Sequence, residues 1–277
     1  MNTADQALRF ACQAHVAHTP SAGRPRGTLI MLHGLGADIT QFDPILHRMD
    51  AADHDIVRVD LRSHGRTPDI GGDTDLTFQQ LGMDLAALLN QRSFTPPLTG
   101  VGISMGAGAL AAAALRDTGL LSSLLLIRPA WLDQPNPPNL APFQQIAALL
   151  RDLAPAQAEA AFRTSPTFQN IQAASAYAAD SLISQFHTPD AARRRARLSK
   201  MPASTPVRAL SELEDLRIPT LVVGTTDDPI HPLTIAHQWS RHVPGARHTT
   251  VSPKSLDDDH YERQLAGIIQ ALPDLRP

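Results

Sequence analysis

The feature that most restricts the fold is the run Gly100-Val101-Gly102-Ile103-Ser104-Met105-Gly106-Ala107-Gly108. An apolar stretch over residues 98–103 has strand character. A serine between two glycines follows, and then an alanine-rich stretch with helix character to about Arg116. Strand, Gly-x-Ser-x-Gly and helix in that order is the context of a nucleophile elbow. The turn is so tight that the serine backbone is strained, and a side chain at Gly102 or Gly106 would collide with the neighbouring strand or helix. Such a turn holds the Ser104 hydroxyl at the top of a sheet and at a helix N-terminus, where developing negative charge is favoured. The five-residue motif also recurs by chance, so its weight depends on what accompanies it.

Around the elbow, apolar runs at residues 28–32, 55–61, 123–127, 220–224 and 246–252 predict further strands, and residues 7–18 read as an amphipathic one. Helical patterns fall at 40–50, 76–91, 232–242 and 261–272. Strands alternating with helices imply a mainly parallel sheet flanked by helices. The rhythm changes after Pro129. Between about Ala130 and Arg217 only helical runs occur, near 140–153, 155–163, 167–184, 189–199 and 207–215. The expected organisation is one α/β core from residues 1–130 and 217–277, interrupted by a helical cap over 131–216. A chain of 277 residues is long enough for that arrangement.

Charge and composition narrow the function classes. The net charge is -3, and the one basic run, Arg193-Arg194-Arg195 with Arg197 and Lys200, reads as a solvated helix face, so no nucleic-acid partner is expected. The single cysteine, Cys12, cannot form an intramolecular disulfide, which fits a reducing compartment. No signal segment and no membrane-length apolar run is evident, so the expectation is a cytoplasmic protein with no membrane partner. Aromatic residues make up 4% of the chain, so a substrate pocket is expected to be walled mainly by Leu, Ile, Ala and Met.

Four motifs, each at a strand end, occur in order. They are His33-Gly34-Leu35-Gly36, Asp60-Leu61-Arg62-Ser63-His64-Gly65-Arg66-Thr67, Gly102-Ile103-Ser104-Met105-Gly106, and the late pair Asp228 and His260. With them the chain from residue 28 onward resembles the α/β-hydrolase family. A serine hydroxyl needs a base within hydrogen-bond reach, and the base needs an orienting acid. The resemblance implies Ser104 as nucleophile, with the acid after the strand near 220–224 and the base after the last strand. Asp228 is preferred as the acid because it precedes the Pro-x-x-Pro ending Pro229-Ile230-His231-Pro232. Asp227 is its neighbour and Asp133 a third candidate. A turn carboxylate capping the next helix is the plainer reading, and it suits Asp227.

His260 is preferred as the base because it opens the last helix. His248 is the runner-up, but it lies at the beginning of its strand, whereas sites of this fold gather at strand C-terminal ends. His231, His237 and His242 lack metal-ligand spacing and read as surface residues, although His231 is close enough to Asp228 in sequence to line the site. The resemblance further implies an oxyanion hole from the backbone N–H groups of Leu35 and Met105. His33, Asp60 and Arg62 read as structural. Arg128, just past a strand end, suits either an acidic group of a substrate or an ion pair with a cap carboxylate, the latter being favoured.

The expected reaction is hydrolysis of a small-molecule carboxylic ester or lactone through an acyl-enzyme, with no metal and no organic cofactor. The alternatives are an acyltransferase or C–C bond hydrolase with the same three residues, or a hydrolase-like receptor with little turnover.

Overall fold

The computed structural model describes residues 2–49 and 53–272. The N-terminal segment is the helix α1 (Thr3–Gln13) followed by the short strand β1 (Val16–Thr19), rather than one strand over 7–18. The helix buries Gln6, Ala7, Phe10 and Ala11, a spacing of three and four residues. Asn2 caps it by accepting from the Asp5 amide. Then come β2 (Thr28–Leu32), the one-turn helix α2 (Asp43–Leu46), β3 (Asp55–Val59), α3 (Phe78–Gln91), β4 (Leu98–Ile103), α4 (Met105–Arg116) and β5 (Ser123–Ile127). Between β5 and the next strand lie five α-helices: α5 (Ala141–Asp152), α6 (Pro155–Arg163), α7 (Pro166–Ala174), α8 (Ala176–His187) and α9 (Ala196–Lys200). The chain returns through β6 (Thr220–Thr225), α10 (Leu233–His242), β7 (Arg247–Val251) and α11 (Asp258–Gln270).

The seven strands form one sheet in the order β1-β3-β2-β4-β5-β6-β7, with β1 antiparallel to β3 and every other pair parallel. The central strands carry apolar residues on both faces because both are covered. Ile30, Leu32, Leu124, Leu126 and Val222 pack in one core, whereas Leu29, Met31, Val101, Ile103, Leu125, Ile127 and Val223 pack in the other with Phe42, Tyr261 and Leu265. The strand order reverses between β2 and β4, the crevice where α/β sheets place ligands.

The helical segment between β5 and β6 is tied to the core through the loop at residues 60–67. Arg194 donates to the carbonyls of Gly65 (2.8 Å) and Thr67 (3.0 Å), and Arg197 donates to the Ser63 carbonyl (2.7 Å). The basic run is therefore not a uniformly solvated face: Arg194 and Arg197 are buried, and they satisfy carbonyls in a loop that bends through positive φ at Ser63 and Gly65. Among the described residues no helix is long and apolar enough to cross a membrane.

Candidate active site

Ser104 stands between β4 and α4 with φ 54° and ψ -108°, a conformation that costs on the order of 1–3 kcal/mol for a non-glycine residue. The surroundings enforce it. Its amide donates to the Ile127 carbonyl at 2.9 Å, extending the β4–β5 ladder by one residue. A Cβ on Gly102 would strike the backbone of Gly106 and Ala107, and one on Gly106 would strike the carbonyls of Leu32 and His33. Both glycines are therefore required for the close approach of helix to sheet.

The Ser104 hydroxyl donates to His231 Nε2 at 2.9 Å, and His231 Nδ1 donates to Asp228 Oδ2 at 2.9 Å. Asp228 follows β6 in the sequence Asp228-Pro229-Ile230-His231. Its Oδ1 accepts the amides of Ile230 (3.0 Å) and His231 (3.1 Å), and its carbonyl accepts the His231 amide at 3.2 Å. The carboxylate thus shapes a tight turn and, through its other oxygen, orients the imidazole that the turn presents. Arg128 approaches from the end of β5 and donates from Nη1 to Asp228 Oδ2 at 3.0 Å. Burial alone would raise the Asp228 pKa. Its interactions with His231, and then with Arg128, outweigh that and hold it well below the usual carboxylate range. Burial pushes His231 below its ordinary value, Asp228 raises it in part, and Arg128 lowers it again. A neutral imidazole with its proton on Nδ1 leaves Nε2 free to accept from serine.

The structure does not bring His260 to Ser104. His260 is exposed in the first turn of α11, where its amide is capped by Asp257 at 2.8 Å. Neighbouring Asp259 is held by Arg48 at 2.7 Å, just past α2. His260 is not among the residues that line the pocket around Ser104. His248 is half-buried in β7 with its ring against His237, 4.6 Å between centroids. Of the acid candidates, Asp227 is exposed at φ 54° and accepts from the Thr226 hydroxyl, and Asp133 accepts the Leu210 amide; only Asp228 meets the imidazole. Sequence reasoning placed His231 near the site but not against Ser104, although a signal for that contact was present. Asp followed by Pro favours a turn that folds the residue three positions on back beside the aspartate.

The remaining named residues fall into supporting places. His33 is buried with both ring nitrogens occupied, by the Gly34 carbonyl (2.8 Å) and the Leu61 amide (3.0 Å). Asp60 accepts from His15 and from the amides of Ile39 and Arg66, and Arg62 grips Asp84 through two nitrogens. Gly34 is fixed by its amide donating to Gln41 Oε1 at 2.8 Å, and a Cβ there would lie 3.5 Å from Ser104 Cβ. That proximity puts the Gly34-Leu35 backbone beside the serine, while Met105 is buried at the first turn of α4. Arg128 pairs with Asp228 of the core, not with a carboxylate of the helical segment.

These groups share one pocket. Leu35, Ile103, Ala178, Leu182 and Ile230 form much of its apolar lining, but α5 and α8 also contribute the aromatic rings of Phe143 and Tyr177. The cavity is small, about 40 Å³, and suits a small group. Among the described residues no cluster of His, Cys, Asp or Glu is placed to hold a metal ion.

No curated protein matches the chain in sequence. Solved structures share its fold at low identity. MenH from S. aureus superposes with a TM-score of 0.72 at 16% identity, covering 95% of this chain and 99% of that one. A thermophilic esterase from Thermogutta terrifontis, with malate bound, gives 0.69 at 18%, covering 95% and 94%. The enol-lactonase from Burkholderia xenovorans gives 0.67 at 17%, covering 95% of each chain. Residues 23–255 match the family described as serine aminopeptidase, S33. That match spans most of the chain, and with the seven-stranded sheet and its elbow it makes this protein a member of that hydrolase family, within the α/β-hydrolases.

Proposed function

We propose that this hydrolase cleaves a small carboxylic ester or lactone through an acyl-enzyme, with Ser104 as nucleophile, His231 as base and Asp228 as acid. The observation that carries the reading is the unbroken hydrogen-bonded chain from the Ser104 hydroxyl through His231 to Asp228. Ser104 attacks the carbonyl carbon while His231 Nε2 takes its proton, and the imidazolium that forms is stabilised by the ionised Asp228. The Leu35 and Met105 amides receive the developing oxyanion, each worth on the order of 3 kcal/mol in the transition state. The imidazolium returns the proton to the leaving alkoxide. His231 then draws a proton from water, which attacks the acyl carbon; the bond from that carbon to the Ser104 oxygen breaks, the imidazolium returns the proton to that oxygen, and the acid leaves.

An aminopeptidase reading, suggested by the family description, is less well supported. An N-terminal ammonium group calls for a free carboxylate. Among the pocket-lining residues, the only carboxylate, Asp228, already accepts from two amides, an imidazole and a guanidinium. The esterase and enol-lactonase among the structural neighbours agree with ester or lactone chemistry. The helical segment between β5 and β6 serves as a cap, since Phe143, Tyr177 and Leu182 line the pocket.

A fluorophosphonate probe tests the assignment. Rapid labelling that maps to Ser104 and is abolished by Ser104→Ala is the expected result. Labelling elsewhere, or none under conditions where esters are hydrolysed, removes Ser104 from the chemistry. Product formation that depends on an added acceptor alcohol would favour acyl transfer over hydrolysis.

A further inference from the structure

We propose that Arg128 is a docking point for a carboxylate on the substrate, so that the preferred ester or lactone carries a carboxylate a few bonds from its scissile carbonyl. This deepens, and rests on, the assignment of Ser104 as the nucleophile.

The argument starts from the unspent hydrogen-bonding capacity of the pocket. Asp228 has none, because each of its oxygens already accepts two hydrogen bonds. Arg128 has a surplus. A guanidinium carries five N–H donors, and Asp228 takes one of them end-on through Nη1. The side chain is 5% exposed, and Nε is buried with no partner among the described residues. A cation so withdrawn from water, with donors to spare, is costly unless an acceptor arrives. Its other close neighbours are Tyr177 from α8, whose hydroxyl also accepts from the guanidinium and whose ring centroid lies at 5.8 Å, and Tyr261 from α11, with its ring centroid at 5.3 Å. The ring faces attract the charge without supplying a lone pair, so even with Asp228 and the Tyr177 hydroxyl accepting, Nε stays unpartnered. Lys254, which also lies over both rings, is held by Glu262 at 3.0 Å and does not line the pocket.

Position then sets where the anion must lie on the substrate. Ile103 and Ile127 are register partners, so Ser104 and Arg128 leave adjacent strands side by side, with backbones about 5 Å apart. A carbonyl carbon at Ser104 and a carboxylate at Arg128 therefore belong to one small molecule. The tightness of the pocket favours a planar carboxylate over a bulkier tetrahedral anion, and a guanidinium matches two carboxylate oxygens in a plane. The apolar part of the lining, which includes Leu35 and Leu182, suits the uncharged remainder.

Two substrates of similar size and opposite character provide the test: monoethyl glutarate, an anion, and ethyl pentanoate, which is neutral. Acid release is followed by pH-stat. The wild-type protein is expected to favour the anion in kcat/KM by roughly tenfold or more, and Arg128→Met to bring the ratio to about one or below. Arg128→Lys keeps the charge but loses the planar fork, so it should fall between, and it decides the matter if the methionine variant fails to fold. Calorimetry on Ser104→Ala adds a readout independent of turnover. Monoethyl glutarate should bind it roughly tenfold more tightly than it binds the Ser104→Ala, Arg128→Met double variant. Absence of an anion preference in the wild type, or a preference that survives both arginine substitutions, overturns the proposal. Arg128-dependent binding of monoethyl glutarate without turnover of either ester would sink the hydrolase reading and leave the carboxylate site standing. Turnover of ethyl pentanoate with no anion preference would do the reverse.

Discussion

The loops after β6 and β7 offer nearly the same chemistry and meet opposite fates. Each leaves the same edge of the sheet, each holds adjacent aspartates, and each has a histidine within three residues of one of them. The loop after β6 delivers Asp228 and His231 to the serine. The loop after β7 turns into α11, with Asp257 as its cap and His260 exposed. Part of the reason is distance. β6 lies two strands from β4 and β7 three, or about 10 against about 14 Å at the usual spacing. The rest is local. Asp228-Pro229 makes a turn that folds His231 back onto its own carboxylate, whereas Asp257 spends its side chain starting a helix. Similar residue types thus become a candidate proton relay in one place and a helix start in the other.

The sharpest way to break this contrast is to exchange the histidines' fates. His231→Ala should cost on the order of 10⁴-fold or more in kcat for ester hydrolysis, while His260→Ala stays within about twofold of wild type. Comparable losses in both, measured in parallel, would mean that α11 rearranges to bring His260 into the site. Next in size is the acid. Asp228→Asn should lower kcat by roughly 10³–10⁴-fold, because it loses both the charge and the tautomer preference, whereas Asp227→Asn should change it by less than about twofold. The opposite ranking would place the catalytic carboxylate one residue earlier.

The smallest effect is in the pH profile. The catalytic form needs neutral His231, whose pKa is depressed by burial, so the acid limb of kcat/KM for ethyl pentanoate should lie below the ordinary histidine value of about 6.5. Arg128 is among the groups that lower it. Arg128→Met should therefore let the imidazole hold its proton to higher pH and move the limb upward, by less than about one pH unit. A downward shift would contradict the Arg128–Asp228–His231 arrangement.

Much of this fold could be read residue by residue. The elbow was legible because its requirements are local: glycines where a Cβ would hit backbone, and a serine between them. The parallel strands were legible because double-sided burial leaves unbroken apolar runs such as residues 28–32 and 123–127. The N-terminal segment was misread, since a short amphipathic stretch such as residues 7–18 fits either period until something packs on it; α3 does so, and α1 is a helix. Arg194 and Arg197 were misread for the same reason, because nothing in their own neighbourhood announces the Ser63, Gly65 and Thr67 carbonyls they serve.

The sequence alone determined the class of sheet and the turn at Ser104, and narrowed the acid to a few aspartates with Asp228 preferred, because each depends on neighbours along the chain. Which histidine meets Ser104, and that Arg128 turns toward Asp228, was decided only by tertiary structure. Those partners lie 127 and 100 residues apart and meet through the order of the strands. Hydrogen bonds act over about 3 Å of space, whatever the length of chain between their ends.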